Sequence, residues 1–258
     1  MRLATPDTAS TASWLSLTAR VEHPRLRLIC FPYAGGGGQA FRDWTATLPP
    51  GIELWAAVLP GRGARVREAP LDRLEPIVAG AATALEPLLD RPVALFGHSF
   101  GALVAFELTR ELARRRLPGP VQLFVSAARA PHRPPGEALS ALPEDAFLER
   151  IRRLNGTPSE VLDDGPLMRL VAPALRADFA AAEGYVCTAE PPLSVPITAF
   201  GGTRDPHVSA DDLDGWGWYT RGRFAVRTFD GDHFFMHSAA REVPAAIATE
   251  PAVREVLS

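Results

Sequence analysis

The sequence contains no lysine; all 27 of its basic residues are arginine, set against 30 Asp and Glu, for a formal net charge of −3 over 258 residues. With the many Ala and Pro residues, this reads as coding bias and carries no mechanistic weight. That balance, and a pI of about 6.1, offer no basic surface to a nucleic acid. Two cysteines, Cys30 and Cys187, are too few for a disulfide framework. Cys30 sits in a strand-like run and reads as a buried thiol. No apolar stretch reaches membrane-spanning length, and Met1 to Ser13 lacks the apolar core of a signal peptide. A soluble, cytoplasmic protein without nucleic-acid or membrane partners is expected.

What is present is a large core. Hydrophobic residues make up 47% of the chain, and its length fits one α/β domain or one domain with an insertion. Residues 1–13 are small and polar and are expected to be mobile. Then short apolar runs alternate with helical patterns. Leu26 to Phe31, Ile52 to Val58, Val93 to Phe96, Val121 to Ser126, Val195 to Phe200 and Phe224 to Phe229 read as strands covered on both faces, with a weaker strand at Trp14 to Leu17. Leu74, Val78, Ala81, Leu85 and Leu88 recur at helical spacing, as do Val104, Leu108 and Leu112. The alternation predicts a mainly parallel sheet flanked by helices. Arg114, Arg115 and Arg116 close a helix, where cations complement its dipole.

Residues 131–192 break the rhythm. They open with Pro131-His132-Arg133-Pro134-Pro135, close with Pro191-Pro192 and contain no convincing strand. Two helical patterns lie inside. One starts near Leu142-Pro143-Glu144-Asp145 and carries Phe147, Ile151 and Leu154; the other carries Leu167, Leu170, Val171, Leu175 and Phe179. A helical lid inserted into a core of residues 1–130 and 193–258 is expected, because a single crossover rarely needs a segment this long.

Chemistry concentrates at Gly97-His98-Ser99-Phe100-Gly101, directly behind the apolar run Pro92 to Phe96 and ahead of a helical pattern starting at Ala102. Gly-x-Ser-x-Gly between a buried strand and a helix describes a nucleophile elbow. A serine hydroxyl needs a base, and the base needs a partner that fixes its tautomer. His233 follows the last strand, on a loop able to reach back over the elbow. His98 adjoins Ser99 and fits packing and hydrogen bonding beside the turn. His237 lies four residues after His233, but the Glu beside the first His that a zinc hydrolase needs is missing, so no metal is expected. Asp205, in Gly201-Gly202-Thr203-Arg204-Asp205-Pro206, is the best-placed acid; the alternative is that it only shapes a turn before Pro206. Asp178 and Asp230 are the next candidates. An oxyanion hole requires backbone N–H donors. Phe100, after the nucleophile, supplies one. Ala34 or Tyr33, in Phe31-Pro32-Tyr33-Ala34-Gly35-Gly36-Gly37-Gly38, supplies the other, with Ala34 the choice.

These pieces, together with Leu59-Pro60-Gly61-Arg62-Gly63, the Gly201 to Asp205 turn and Gly231-Asp232-His233-Phe234-Phe235, resemble the type II thioesterases of polyketide and nonribosomal peptide biosynthesis. Phe100 stands where that family often has Met. The resemblance implies an α/β-hydrolase fold with a helical lid and a Ser99, Asp205, His233 triad. It implies an editing enzyme that hydrolyses short or aberrant acyl groups from the phosphopantetheine arm of carrier proteins, with no metal or organic cofactor beyond the 4'-phosphopantetheine that the substrate carries. Acyl or peptidyl carrier protein domains are the implied partners. Arg150, Arg152 and Arg153 stand either as a docking surface for acidic carriers or as a solvated helix face, the latter preferred. The chain starts with Met and stops soon after its last helix, which favours a free-standing protein, and a monomer is expected. The alternatives are an acyl-CoA thioesterase or small-molecule carboxylesterase with the same triad, a product-releasing domain of a synthase, and a binding protein on a hydrolase scaffold.

Overall fold

The computed structural model describes residues 13–133, 136–154, 156 and 159–258. Residues 1–12 of the polar N-terminus and Pro134 and Pro135 of the proline-rich opening lie outside the described residues. Among the described residues, seven strands form one sheet: β1 (Leu15–Ala19), β2 (Leu26–Phe31), β3 (Ile52–Ala57), β4 (Val93–His98), β5 (Gln122–Ser126), β6 (Ile197–Gly202) and β7 (Phe224–Phe229). Their order is β1-β3-β2-β4-β5-β6-β7. β1 runs antiparallel to β3, and every other neighbouring pair is parallel.

The apolar runs explain the sheet. Every residue of β4 and β5 is buried, as strands covered on both faces require. Alternate residues of β2 serve opposite faces: Ile29 and Phe31 join one core cluster, Leu26, Leu28 and Cys30 the other. The first cluster packs under α1 (Leu74–Leu85) and α2 (Phe100–Arg114). The second is sealed by Phe41 and Trp44 of a 3-10 helix, Gly38–Ala46, where the glycine run suggests only a loop. Trp44 meets the Phe96 ring edge-on at 4.8 Å. The weak strand at Trp14 to Leu17 is β1, an edge strand in which Ser16 and Leu17 are exposed.

The chain leaves β2 to one side to form β3, then crosses back to place β4 on the other side. The loops after β2 and β4 therefore diverge, and the crevice between them is where open α/β sheets hold ligands.

Between β5 and β6 lie α3 (Glu144–Leu154), α4 (Ser159–Leu162) and α5 (Gly165–Glu183). Leu139, Phe147, Ile151 and Leu175 form a third apolar cluster, separate from the two on the sheet. α3 contributes only to this small cluster, whereas α5 also reaches the main core, where Ala181 is buried. α5 holds the segment before α3 as well: the Arg176 guanidinium donates to the carbonyls of Ser140 and Leu142, and the Glu183 carboxylate accepts from the Leu139 amide at 2.6 Å. Among the described residues, no helix is long and apolar enough to cross a membrane.

Candidate active site

The helix behind β4 starts at Phe100, two residues earlier than the apolar pattern indicates, so Ser99 alone separates strand from helix. A Cβ on Gly97 would overlap the Gly101 carbonyl, and one on Gly101 would overlap the Phe31 carbonyl. Only glycine fits either position, which is the physical content of the motif. Ser99 takes φ 54° and ψ −117°. Such a conformation costs a non-glycine residue about 1–3 kcal/mol. It is held by the Ser99 N–H, which donates to the Ser126 carbonyl at 2.7 Å, and by the strand and helix on either side.

The structure brings Ser99, His233 and Asp205 together. His233 Nε2 lies 3.0 Å from Ser99 Oγ, and His233 Nδ1 lies 2.8 Å from Asp205 Oδ2. Carboxylate pairing makes Nδ1 the protonated nitrogen, so Nε2 accepts from the serine hydroxyl. The Asp205 side chain is 0% exposed and that of His233 13%. Asp205 also shapes its turn: Oδ1 accepts from the amides of His207 at 2.8 Å and Val208 at 3.2 Å. The two roles open to this aspartate in the sequence thus coexist, one on each oxygen. Burial pushes the Asp205 carboxyl up. The hydrogen bond and charge of His233 and the His207 amide outweigh it and hold the group below its usual range.

His98 packs and bonds beneath the elbow. It accepts from Ser126 Oγ at Nδ1 (2.9 Å) and donates from Nε2 to the His233 carbonyl (2.8 Å). Burial pushes its pKa well below the usual value, so it stays neutral and anchors the backbone of the His233 loop. His237 lies 3.2 Å from the Tyr33 hydroxyl, and the Phe234 ring meets Tyr33 edge-on at 5.0 Å. His207 stands edge-on to His233 at 5.6 Å. His132 stacks on Trp218, and His23 is exposed. Among the described residues, no group of His, Cys, Asp and Glu is arranged to hold a metal ion. Asp230 pairs with Arg204 at the surface.

The loop after β2 turns at Tyr33–Gly36. The Gly36 N–H donates to the Tyr33 carbonyl at 2.9 Å, and Gly35 takes φ +73°, as the third residue of a type II turn must. Ala34 is the second residue of that turn and packs against both the main core and the third apolar cluster. Phe100 is the first residue of α2, where an N–H has no intrahelical acceptor. Between α3 and α4, Gly156 lies so close to Phe234 that a Cβ there would overlap the ring, so the inserted segment touches the loop that carries His233.

One buried pair escapes the sequence reading. Arg62, in the loop after β3, bonds Asp178 of α5 through both terminal nitrogens, at 2.5 and 2.7 Å. Burial raises the Asp178 carboxyl against the opposing pull of the Arg62 fork and the Gly35 amide. A signal for it exists: one acid on a helix face whose other positions are Leu167, Leu170, Val171, Leu175 and Phe179, together with an arginine inside the Leu59 to Gly63 motif.

An activated serine on an elbow of a seven-stranded sheet is the equipment of an acyl-transfer hydrolase. Comparison with known proteins agrees. The thioesterase domain family matches residues 26–249. Gramicidin S biosynthesis protein GrsT of Aneurinibacillus migulanus is 42% identical over 220 residues, which is 85% of this chain and 86% of that one. Thioesterase PikA5 of Streptomyces venezuelae is 36% identical over 239 residues, 92% of this chain and 85% of that one. YbtT, a type II thioesterase from the yersiniabactin NRPS/PKS pathway, is similar in structure with a TM-score of 0.86 at 31% identity, covering 95% of this chain and 100% of that one. The chain belongs to the thioesterase domain family and is a thioester hydrolase with the α/β-hydrolase fold.

Proposed function

We propose that this enzyme is an editing thioesterase of polyketide or nonribosomal peptide assembly, which frees carrier proteins from short or aberrant acyl groups through a Ser99 acyl-enzyme. The observation that carries the mechanism is the pair of hydrogen bonds joining Ser99 Oγ to His233 Nε2 at 3.0 Å and His233 Nδ1 to Asp205 Oδ2 at 2.8 Å, on an elbow with no room for side chains at Gly97 and Gly101. The pathway assignment is supported by relatives whose names place them in gramicidin S and yersiniabactin biosynthesis.

Ser99 Oγ attacks the thioester carbonyl while its proton passes to His233 Nε2. The carbon–sulfur bond breaks, and His233 protonates the departing phosphopantetheine thiolate. Water then attacks the acyl-serine, gives its proton to His233, and the free acid leaves as the serine recovers its proton. Asp205 keeps the imidazole in the working tautomer throughout. The amides of Phe100 and Ala34 stabilise the oxyanion, each donor contributing about 3–4 kcal/mol to barrier lowering. The positive end of α2 points the same way. This chemistry needs no metal or organic cofactor of its own.

Residues 131–192 act as the lid, with α3 and α4 as its movable part. The acyl group lies along the Leu139, Phe147, Ile151 and Leu175 cluster, the apolar surface packed against Ala34. Arg150, Arg152 and Arg153 form a solvated face; their pairing with Glu137, Asp163 and Glu149 supports that reading. The test is hydrolysis of one acyl group presented on a carrier protein, on coenzyme A and as a p-nitrophenyl ester at matched concentrations. A kcat/KM highest for the carrier-bound form is expected. No advantage for it would remove the editing role and leave an acyl-CoA thioesterase or a carboxylesterase.

A further inference from the structure

The catalytic steps make no use of the most deeply buried ion pair near the site. The Asp178 side chain is 1% exposed and that of Arg62 10%. Burying two charges carries a desolvation cost that their attraction repays poorly, and apolar replacements of such pairs are often neutral or stabilising. Stability alone is therefore a weak reason for the pair. Its remaining contacts give a better one. Asp178 Oδ2, already bonded to Arg62, also accepts from the Gly35 N–H at 2.7 Å, while Arg62 donates to the Gly36 carbonyl at 3.3 Å. Two neighbouring residues of the Tyr33–Gly36 turn are thus tied through their backbone to charges from two other elements. The packing tightens the same joint: a Cβ on Gly35 would come within 2.6 Å of Leu175, one turn before Asp178 on α5.

We propose that Arg62 and Asp178 are positioning residues for the oxyanion loop, fixing the Tyr33–Gly36 turn so that the Ala34 amide is held where the oxyanion develops. This rests on the reading of Ala34 and Phe100 as the oxyanion donors. It makes α5 a fixed abutment of the site rather than part of a moving cover. The Leu59 to Gly63 motif then serves to present one guanidinium under the turn. A planar fork suits that role, because it engages a carboxylate through two nitrogens and still reaches a carbonyl.

The test uses the full chain as Asp178→Asn, Arg62→Lys and the paired apolar variant Arg62→Met with Asp178→Leu. End-point labelling with a fluorophosphonate counts the working sites in each preparation. Turnover per counted site is then measured on a p-nitrophenyl ester and on an acyl-CoA. Inhibition by an acyl trifluoromethyl ketone supplies a readout specific to the oxyanion: Ser99 adds to its carbonyl, the serine proton passes to His233, and the oxygen becomes an anion in the hole. Asp178→Asn is expected to lower kcat per site roughly 10- to 100-fold with KM within about threefold, and to weaken the ketone by the same factor as kcat/KM. Arg62→Lys is expected to lose about tenfold, since it keeps the charge and loses the fork. The apolar pair is expected to keep thermal stability and still show the loss. Folded variants whose per-site kcat and ketone affinity stay within about twofold of the parent would overturn the proposal. A parent that hydrolyses the ester but no acyl thioester would sink the editing reading and leave the positioning pair measurable on the ester. A parent inert to the fluorophosphonate would end both.

Discussion

The elbow and the inserted segment are held by different physics. At the elbow, backbone meets backbone: Gly97 and Gly101 leave no room for a Cβ, and Ser99 is strained between a fully buried strand and a long helix. In the inserted segment, α3 rests on one small apolar cluster and carries exposed ion pairs such as Arg153–Glu149 on its outer face. α5 packs with the elbow rather than with α3 alone, because it reaches the main core and ties the Tyr33–Gly36 turn through Asp178. A serine hydrolase needs its reacting groups fixed to within about 0.5 Å and its cover free to admit substrate. In packing, the division falls between α3 and α5, within the residues 131–192 expected as a lid.

The sharpest way to break this comparison is to remove the chemistry without touching the frame. Ser99→Ala is expected to lower kcat by about 10⁴- to 10⁶-fold in steady-state assays. Its unfolding temperature should stay near that of the parent. Asp205→Asn is expected to lower kcat by about 10²- to 10⁴-fold, since the imidazole is free to adopt the wrong tautomer. A mild effect would move the acid elsewhere.

Glycines separate the two regions next. Gly97→Ala is expected to destabilise by more than about 4 kcal/mol or to prevent folding, because the new methyl meets backbone that cannot yield. Gly136→Ala, before α3, places its Cβ where nothing lies within 4 Å and is expected to leave thermal unfolding unchanged.

The buried imidazole under the elbow gives a pH signature. His98 stays neutral in the folded protein well below its ordinary value of 6.5, whereas the unfolded chain takes up the proton near that pH. Below pH 6.5 the unfolded state binds more protons, so stability falls as pH falls, by up to about 1.4 kcal/mol per pH unit for this group. Urea unfolding of His98→Gln between pH 7 and pH 5 should show that slope reduced by about one proton. The smallest effect belongs to α3. Arg153→Ala, which breaks an exposed pair four residues apart, is expected to change stability by less than about 0.5 kcal/mol.

Much of the fold is legible in the residues, for identifiable reasons. Buried parallel strands announce themselves as short apolar runs, and the elbow states its own geometry through glycines two before and two after the serine. Strand ends are less clear. β4 runs on through Gly97 and His98, which pair with Val125 and Ser126, although glycine reads as a breaker. The 3-10 helix at Gly38–Ala46 lies hidden behind four glycines that promise only a loop, while Phe41 and Trp44 inside it become core. Ser99, Asp205 and His233 are nameable because each follows a strand, and ends of parallel strands share one edge. Arg62 and Asp178 are not nameable as a pair. They are 116 positions apart, and only packing α5 against the turn brings them together.

In the proposed mechanism Ser99 is the acceptor of the acyl group, and the rest of the chemistry depends on that step. Rapid acid quenching of an acyl thioester turnover, followed by intact mass and peptide mapping, tests that directly. One acyl mass on the peptide that carries Ser99, absent from Ser99→Ala, is the predicted result. The acyl mass on another residue, such as the partly exposed Cys187, or turnover persisting in Ser99→Ala, would contradict it.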